Sequence, residues 1–585
     1  MTLQATFAAT LVDEWVRAGI RDAVVSPGSR SSALAIALAG DGRVETHVRL
    51  DERSAGFYAI GIALASGLPV VVVTTSGTAA AELHPAVIEA DLAGVPLVVC
   101  TADRPFELQD VGSPQTVDQR HLYGRAVRFF ADFDVASEEA KPQWRSLGSR
   151  LVLEAQHSGR GPGPVHVNLP FREPLGGEPD DVPKGRDGAR PFHEVIGGSP
   201  ASEEAVAQLV ALITSTKRGL IVAGRGGASA NSCQAISQAS GWPVLSDAVA
   251  FPRETSDGVI AAWETIVKSP FATTTLRPDV VVRVGAPQAS RPFSEWLADS
   301  TESGTRHVLI DPYGRFLDPG RLSETVVRAG PDELFFEVER RLGGATPTRP
   351  FFQAWVEAER SAQLAIDELL SEIPEASEPA VARDLFALVP HRSALVVSSS
   401  MPVRDVDAFG RPRVGAPVVY ANRGANGIDG VASTVRGVAA ARKVSVSGSA
   451  PTVGLLGDLA FLHDLSAHVF GSDEARVGAT YVVVDNRGGG IFSFLPYAKS
   501  LRHDTFERAF ATPQATDISA LATAFGFGVF DVDERSAFAE SVFAAISAGS
   551  DHLVLVRTER ERNVEIHAEL DRAVEVSLVR ALGAS

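Results

Sequence analysis

The stretch from Val453 to Phe492 constrains this chain more than any other. It holds VGLLGDLAFLHDL and TYVVVDNRGGGIF, two apolar runs that break at Gly457-Asp458 and at Asp485-Asn486 with three glycines. Apolar runs without alternation are the mark of parallel strands buried on both faces. Each run delivers polar groups at its carboxyl end, where open α/β sheets bind ligands. Asp458 and Asn486 stand 28 residues apart, room for one helical crossover between neighbouring parallel strands. An acid, an amide oxygen and the backbone of a glycine turn are hard oxygen donors suited to Mg²⁺, which keeps phosphate oxygens among its ligands. Either half alone fits a capping aspartate or an ordinary glycine turn. At this spacing the pair points to a metal-bridged diphosphate site.

The whole chain divides into three α/β patterns, the last of which contains this stretch. At 585 residues it is long enough for three or four domains, and 45% apolar content can fill several cores. Residues 1–178 alternate strands and helices: a strand at Ala23–Val25 breaks at Pro27-Gly28, and Ser29 and Arg30 open the next helix. Glu52 follows a second strand and starts an Ala/Gly-rich helix, where a carboxylate ordinarily serves the helix dipole. Ser76-Gly77-Thr78 and Arg104 follow two more strand ends. Residues 176–200, rich in Gly, Pro, Asp and Arg, are expected to be a linker. Residues 195–345 form a second α/β pattern, whose GRGG lacks the G-x-G-x-x-G fingerprint and favours a structural role. A polar helical connection over roughly 350–375 then leads to the third pattern, 376–585. There Ser400 and Arg404, four apart, would share a helix face, and Arg423 follows another strand. The predicted class is α/β, with three doubly wound parallel-sheet domains, the first and third similar in fold.

Composition excludes several roles. A net charge of −18 argues against nucleic acid or anionic membrane as a partner and makes clustered arginines informative. No run of 18 uncharged apolar residues suggests a membrane span. The first twenty residues lack a basic start and a small-residue cleavage site, so a folded helix is expected there rather than a signal peptide. Cys100 and Cys233 lie outside any metal spacing and fit core positions in a cytoplasmic protein.

The Asp458–Asn486 spacing resembles the thiamine diphosphate motif, Gly-Asp-Gly then Asn-Asn, with Leu459 in the third position and Asp485 for the first Asn. GDLAFLHDL and DNRGGGIFSFLP resemble the 2-succinyl-5-enolpyruvyl-6-hydroxy-3-cyclohexene-1-carboxylate synthases of menaquinone biosynthesis. The likeness extends over essentially the whole chain and is strongest at 26–31, 50–61, 101–108, 420–430 and 454–496. It implies a transferase using thiamine diphosphate with Mg²⁺ or Mn²⁺, which decarboxylates 2-oxoglutarate and adds the resulting carbanion to isochorismate. Glu52 would be the catalytic carboxyl that shares a proton with N1′ of the cofactor's aminopyrimidine. Ser76, Gly77, Ser400, Ile428, Gly457, Asp458, Leu459, Asn486, Gly488, Gly489, Ile491 and Phe492 would surround the cofactor, with Asp458, Asn486 and Gly488 on the metal. Ile428 would wedge under the cofactor and hold its two rings in a V shape. Ser400, Arg404 and Arg423 would hold 2-oxoglutarate; Ser29, Arg30, Arg104, Gln115 and Arg291 would hold isochorismate. Pro114 stands where the family often has Asn before that glutamine. The resemblance also implies a homodimer with sites between subunits, and a tetramer would fit as well. Another thiamine diphosphate enzyme, an acetolactate synthase or 2-oxoacid decarboxylase, shares the generic site but not this set of arginines. A binding protein without turnover would have no use for Glu52, and a nucleotide-dependent oxidoreductase would need a dinucleotide fingerprint.

Overall fold

Valine-rich runs such as Val70–Thr74 and Val280–Val284 are buried along their whole length, so both faces of their sheets must be covered by helices. The computed structural model describes residues 2–197, 200–251, 253–344, 349–445 and 450–583; the expected domain ends at 1, 345 and 585 lie outside these. Three six-stranded sheets result, and every neighbouring pair of strands in them is parallel. The first contains β1 (Asp22–Val25), β2 (Glu45–Val48), β3 (Val70–Thr74), β4 (Leu97–Asp103), β5 (Phe130–Asp132) and β6 (Pro164–Pro170). The second contains β7 (Gly219–Ala223), β8 (Val244–Ser246), β9 (Val259–Ile260), β10 (Val280–Val284), β11 (Arg306–Ile310) and β12 (Thr325–Val327). The third contains β13 (Ala394–Val397), β14 (Val418–Tyr420), β15 (Thr452–Gly457), β16 (Thr480–Asp485), β17 (Gly528–Val532) and β18 (His552–Arg557).

The first and third sheets share one strand order, β2-β1-β3-β4-β6-β5 and β14-β13-β15-β16-β18-β17. Their switch points therefore fall between β1 and β3 and between β13 and β15, where crevices form. The second sheet, β12-β11-β10-β7-β8-β9, switches between β10 and β7. That crevice is closed by backbone. A Cβ on Gly224 would stand 1.8 Å from the Ala286 carbonyl oxygen, and one on Gly285 2.3 Å from that of Gly224. The glycines of GRGG thus let two loops touch, leaving no cradle for a dinucleotide.

Two helices bind the second unit to the third. The helix Pro350–Glu372 buries Phe351, Trp355, Ala358, Ala362, Ile366 and Leu370. It shares a core with Leu220, Val222 and Trp263 of the second unit and with Ile566, Leu570, Val574 and Leu578 of the last helix, Arg560–Gly583. The connection expected to be polar has a continuous apolar face at helical spacing, and the chain runs on past β18 to cover the middle sheet. The described part of the segment expected to be a linker, up to residue 197, lies as a strap along the first unit. Thr2 N–H donates to the Glu178 carbonyl at 3.1 Å, Arg145 Nε to that of Pro183 at 2.8 Å, and Phe192 N–H to Glu14 Oε1 at 2.5 Å. The helices Glu52–Ser66 and Val431–Ser445 cross in direct backbone contact: a Cβ on Gly61 would meet the Thr434 carbonyl oxygen at 2.3 Å. Among the described residues no helix is long and apolar enough to cross a membrane.

Candidate active site

Strands β15 and β16 are neighbours, paired from Val453↔Thr480 to Gly457↔Val484. Asp458 and Asn486 therefore leave adjacent strand ends side by side. Asp458 Oδ2 accepts the Gly488 N–H at 2.6 Å and its Oδ1 accepts that of Leu459 at 2.8 Å. Gly488 has φ +125°, and a Cβ there would stand 2.0 Å from the Ala511 carbonyl oxygen, so the turn has room only for glycine. Asp485 caps the turn through its Oδ1, which accepts the Arg487 N–H at 3.1 Å. Burial, aided by Asp485, pushes the Asp458 carboxyl up to about 7. Asn486 Nδ2 donates to Glu378 Oε1 at 2.7 Å, while its Oδ1 is buried and takes no hydrogen bond among the described residues. One costly buried acid beside one orphaned amide oxygen is a donor set that a hard cation would satisfy. Among the described residues no three His, Cys, Asp or Glu side chains cluster as a metal cage.

These groups line one side of a cavity of about 780 Å³ at the switch point of the third sheet. Gly457, Leu459, Gly489, Ile491, Phe492 and Ile428 line it too, an apolar and glycine-rich wall beside the acid and amide. Ser398, Ser399 and Ser400, which follow β13, line the same cavity. Ser400 has φ +73°, a conformation costing a non-glycine residue about 1–3 kcal/mol and kept where the surroundings enforce it. Here Arg404 Nη1 donates to the Ser400 carbonyl at 2.5 Å, the i, i+4 relation that the spacing suggested. Arg423 Nη1 donates to Ser399 Oγ at 3.3 Å. Burial, then repulsion from Arg404, holds the Arg423 guanidinium below its usual range. Two guanidinium groups lining one cavity are suited to pairing with carboxylate.

Three residues that sequence inspection passes over complete this half. Glu378 opens the helix Glu378–Leu388 and looks like an ordinary first-turn acid, yet it lines the cavity. Gln288, after β10, lines it with a buried Nε2 that has no partner among the described residues. Glu89, from the first unit, accepts the N–H groups of Gly424 and Ala425 at 2.7 and 2.6 Å and fixes the loop after Arg423. Only the position of each in the fold distinguishes it from a cap or a surface amide. Arg291 also lines the cavity; it starts the helix Arg291–Glu302, is exposed, and pairs with Glu295 at 2.7 Å.

The remaining candidates gather elsewhere, at the strand ends of the first sheet. Ser29 and Arg30 follow β1, Glu52 follows β2, Ser76 and Gly77 follow β3, and Arg104 follows β4. Arg104 Nη1 donates to Ser76 Oγ, and Arg30 Nη1 to the Phe171 carbonyl at 2.9 Å. Burial and then Arg30 lower Arg104 below the usual guanidinium range. Gln115 is exposed with φ +52°, its backbone 3.3 Å from where a Cβ on Gly77 would be. The glutamine holding the Gly77 N–H is the buried Gln119, through Oε1 at 2.8 Å. Glu52 is half-buried, and burial raises its carboxyl above the usual range. None of these seven lines the cavity of the third sheet. One chain thus carries two half-sites, on the same four strand ends of two sheets of the same order.

Comparison with known proteins bears on both halves. Residues 5–122 match the N-terminal TPP binding domain of thiamine pyrophosphate enzymes, and residues 418–558 match the C-terminal TPP binding domain. The chain is 40% identical over 597 residues to the 2-succinyl-5-enolpyruvyl-6-hydroxy-3-cyclohexene-1-carboxylate synthase of Myxococcus xanthus (strain DK1622), covering 98% of both chains. It is 40% identical over 576 residues to that of Thermobifida fusca (strain YX), covering 98% of this chain and 99% of the other. With that of Haloarcula marismortui it shares 36% over 601 residues, 98% of each. Likeness of this extent, on two thiamine-binding folds, places the chain in the family of thiamine diphosphate-dependent 2-succinyl-5-enolpyruvyl-6-hydroxy-3-cyclohexene-1-carboxylate synthases.

Proposed function

We propose that this chain joins 2-oxoglutarate to isochorismate with loss of CO₂, giving 2-succinyl-5-enolpyruvyl-6-hydroxy-3-cyclohexene-1-carboxylate for menaquinone synthesis. The observation that carries this reading is that Arg404 and Arg423 line the same cavity as Asp458 and Asn486. Thiamine diphosphate, when bound, supplies the electron sink that makes loss of CO₂ feasible. Asp458, Asn486 Oδ1 and the Gly488 carbonyl would hold Mg²⁺ or Mn²⁺ against its diphosphate, with Gly457, Leu459 and Gly489 leaving room for the phosphates. Ile428, Ile491 and Phe492 would pack on the rings. Ser400, Arg404 and Arg423 would grip the 2-oxoglutarate carboxylates, excluding water as they pair.

The first-sheet half would come from a second copy of the chain. Glu52 would hold a proton at N1′ of the aminopyrimidine, with Ser76 and Gly77 beside the ring. Ser29, Arg30, Arg104 and Gln115, with Arg291, would receive the isochorismate carboxylates. A homodimer is then the smallest complete unit, and a tetramer would double it. Exposed apolar side chains beside these strand ends, Leu50, Phe106 and Val111 among them, support a buried contact there.

The test is CO₂ release from 2-oxoglutarate by the purified protein with thiamine diphosphate and Mg²⁺, with and without isochorismate. Sustained turnover that requires both substrates is expected. Turnover of 2-oxoglutarate unaffected by isochorismate would make the protein a plain decarboxylase. Arg423→Ala should lower kcat/KM for 2-oxoglutarate by at least about 2 kcal/mol, roughly thirtyfold, because a buried carboxylate loses its partner. Steady-state kinetics with 2-oxoglutarate varied at saturating isochorismate measures that loss.

A further inference from the structure

The Asn486 amide has two ends of nearly the same shape, and only its oxygen can ligate a cation. Something must decide which end faces the cavity. Nδ2 donates to Glu378 Oε1 at 2.7 Å, and Oδ1, buried without a partner, is the end left over. Glu378 is itself buried, at 4% exposure. It reaches β16 from the start of a helix 108 residues earlier in the chain. In this contact the Glu378 oxygen is the acceptor, which sets the N–H end of the amide against it and turns the oxygen end the other way. The wall behind it is rigid. Asp405 pairs with His567 Nε2 at 2.9 Å, and the other ring nitrogen, Nδ1, lies 2.9 Å from the Asn563 carbonyl. His567 is also wedged edge-on between Phe409 and Phe494.

We infer that Glu378 is a positioning residue: it holds the Asn486 amide so that its oxygen is presented to the cation. The inference rests on the metal role proposed above for Asn486. Removing such an outer-shell partner typically weakens metal binding 10- to 100-fold. A carboxyl that merely satisfied a buried N–H would instead affect stability and leave cation affinity alone.

The test is calorimetric titration of Mg²⁺ into the full-length protein with thiamine diphosphate present, alongside melting temperatures without ligand. Glu378→Met is expected to weaken Mg²⁺ binding by about tenfold or more. Glu378→Gln, which retains a carbonyl acceptor for Nδ2, should stay within about threefold of the unaltered protein. A Glu378→Met protein that melts lower yet binds Mg²⁺ normally would overturn the inference. Asn486→Ala separates the two layers. If it binds Mg²⁺ normally, the metal reading itself fails. If it loses Mg²⁺ while Glu378→Met does not, only the positioning role fails. Should Glu378→Met not fold, a crystal structure of the unaltered protein with Mg²⁺ and thiamine diphosphate decides. Asn486 Oδ1 on the ion with Nδ2 on Glu378 is expected; a Glu378 oxygen on the ion would overturn it.

Discussion

Glu52→Gln is expected to lower kcat by on the order of 10²–10⁴, the usual worth of a positioned acid–base group, with melting temperature and thiamine diphosphate affinity little changed. The structure separates Glu52 from the structural duty that a first-turn acid ordinarily performs. Asp51 already caps the helix Glu52–Ser66, its Oδ1 accepting the N–H groups of Arg53 at 2.9 Å and Ser54 at 3.3 Å. Among the described residues the Glu52 carboxyl pairs with no other side chain and accepts only its own backbone N–H. Burial, then the carboxylates of Asp51 and Glu82, raise it above the ordinary range, which suits a group that must hold a proton for a weakly basic ring nitrogen. Glutamine preserves shape and packing but cannot exchange that proton. Steady-state kinetics with a parallel cofactor titration measures the effect. Unchanged turnover would remove Glu52 from the chemistry and leave it a helix residue.

How much of this was legible in the sequence differs by element. The strand ends were, because β3, β10, β13, β15 and β16 are short runs of valine and leucine that break at glycine or a polar residue, a local signal. The Asp458–Asn486 pair was legible for the same reason, since parallel neighbours one crossover apart bring their ends together. The helix Pro350–Glu372 was legible as a helix but not its apolar face, and the helix Arg560–Gly583 was not legible at all. Their apolar faces are spread among Glu, Arg and Gln, and each finds its partner some 200 residues away in the chain. Glu378, Glu89 and Gln119 were illegible for another reason. A buried acid or amide that holds a backbone or side-chain N–H has no sequence mark of its own. Glu89 matters only because the first unit lies against the loop after Arg423, a tertiary fact. Gln119 and Gln115 sit four apart in one loop, and only the fold shows which side chain meets Gly77.

Asp458→Ala should weaken Mg²⁺-dependent binding of thiamine diphosphate by on the order of a hundredfold or more, since no other carboxylate in the donor set can replace it. Its more telling use is in combination with Glu52→Gln. Within one chain Glu52 does not line the cavity that Asp458 lines. If a complete site takes Glu52 from one copy and Asp458 from another, two nearly inactive variants can rescue one another. Random re-pairing of equal amounts makes half of the dimers mixed, and each mixed dimer has one site carrying both substitutions and one carrying neither. About a quarter of the unaltered activity is then expected after dissociation and reassembly, from symmetry alone. Mixing without dissociation should restore far less, which distinguishes rescue by subunit exchange from residual activity of either variant. No recovery after verified exchange would mean that each chain closes its own Glu52 over its own Asp458. The two strand-end faces would then have to approach within a single chain, and the dimeric site proposed above would be wrong.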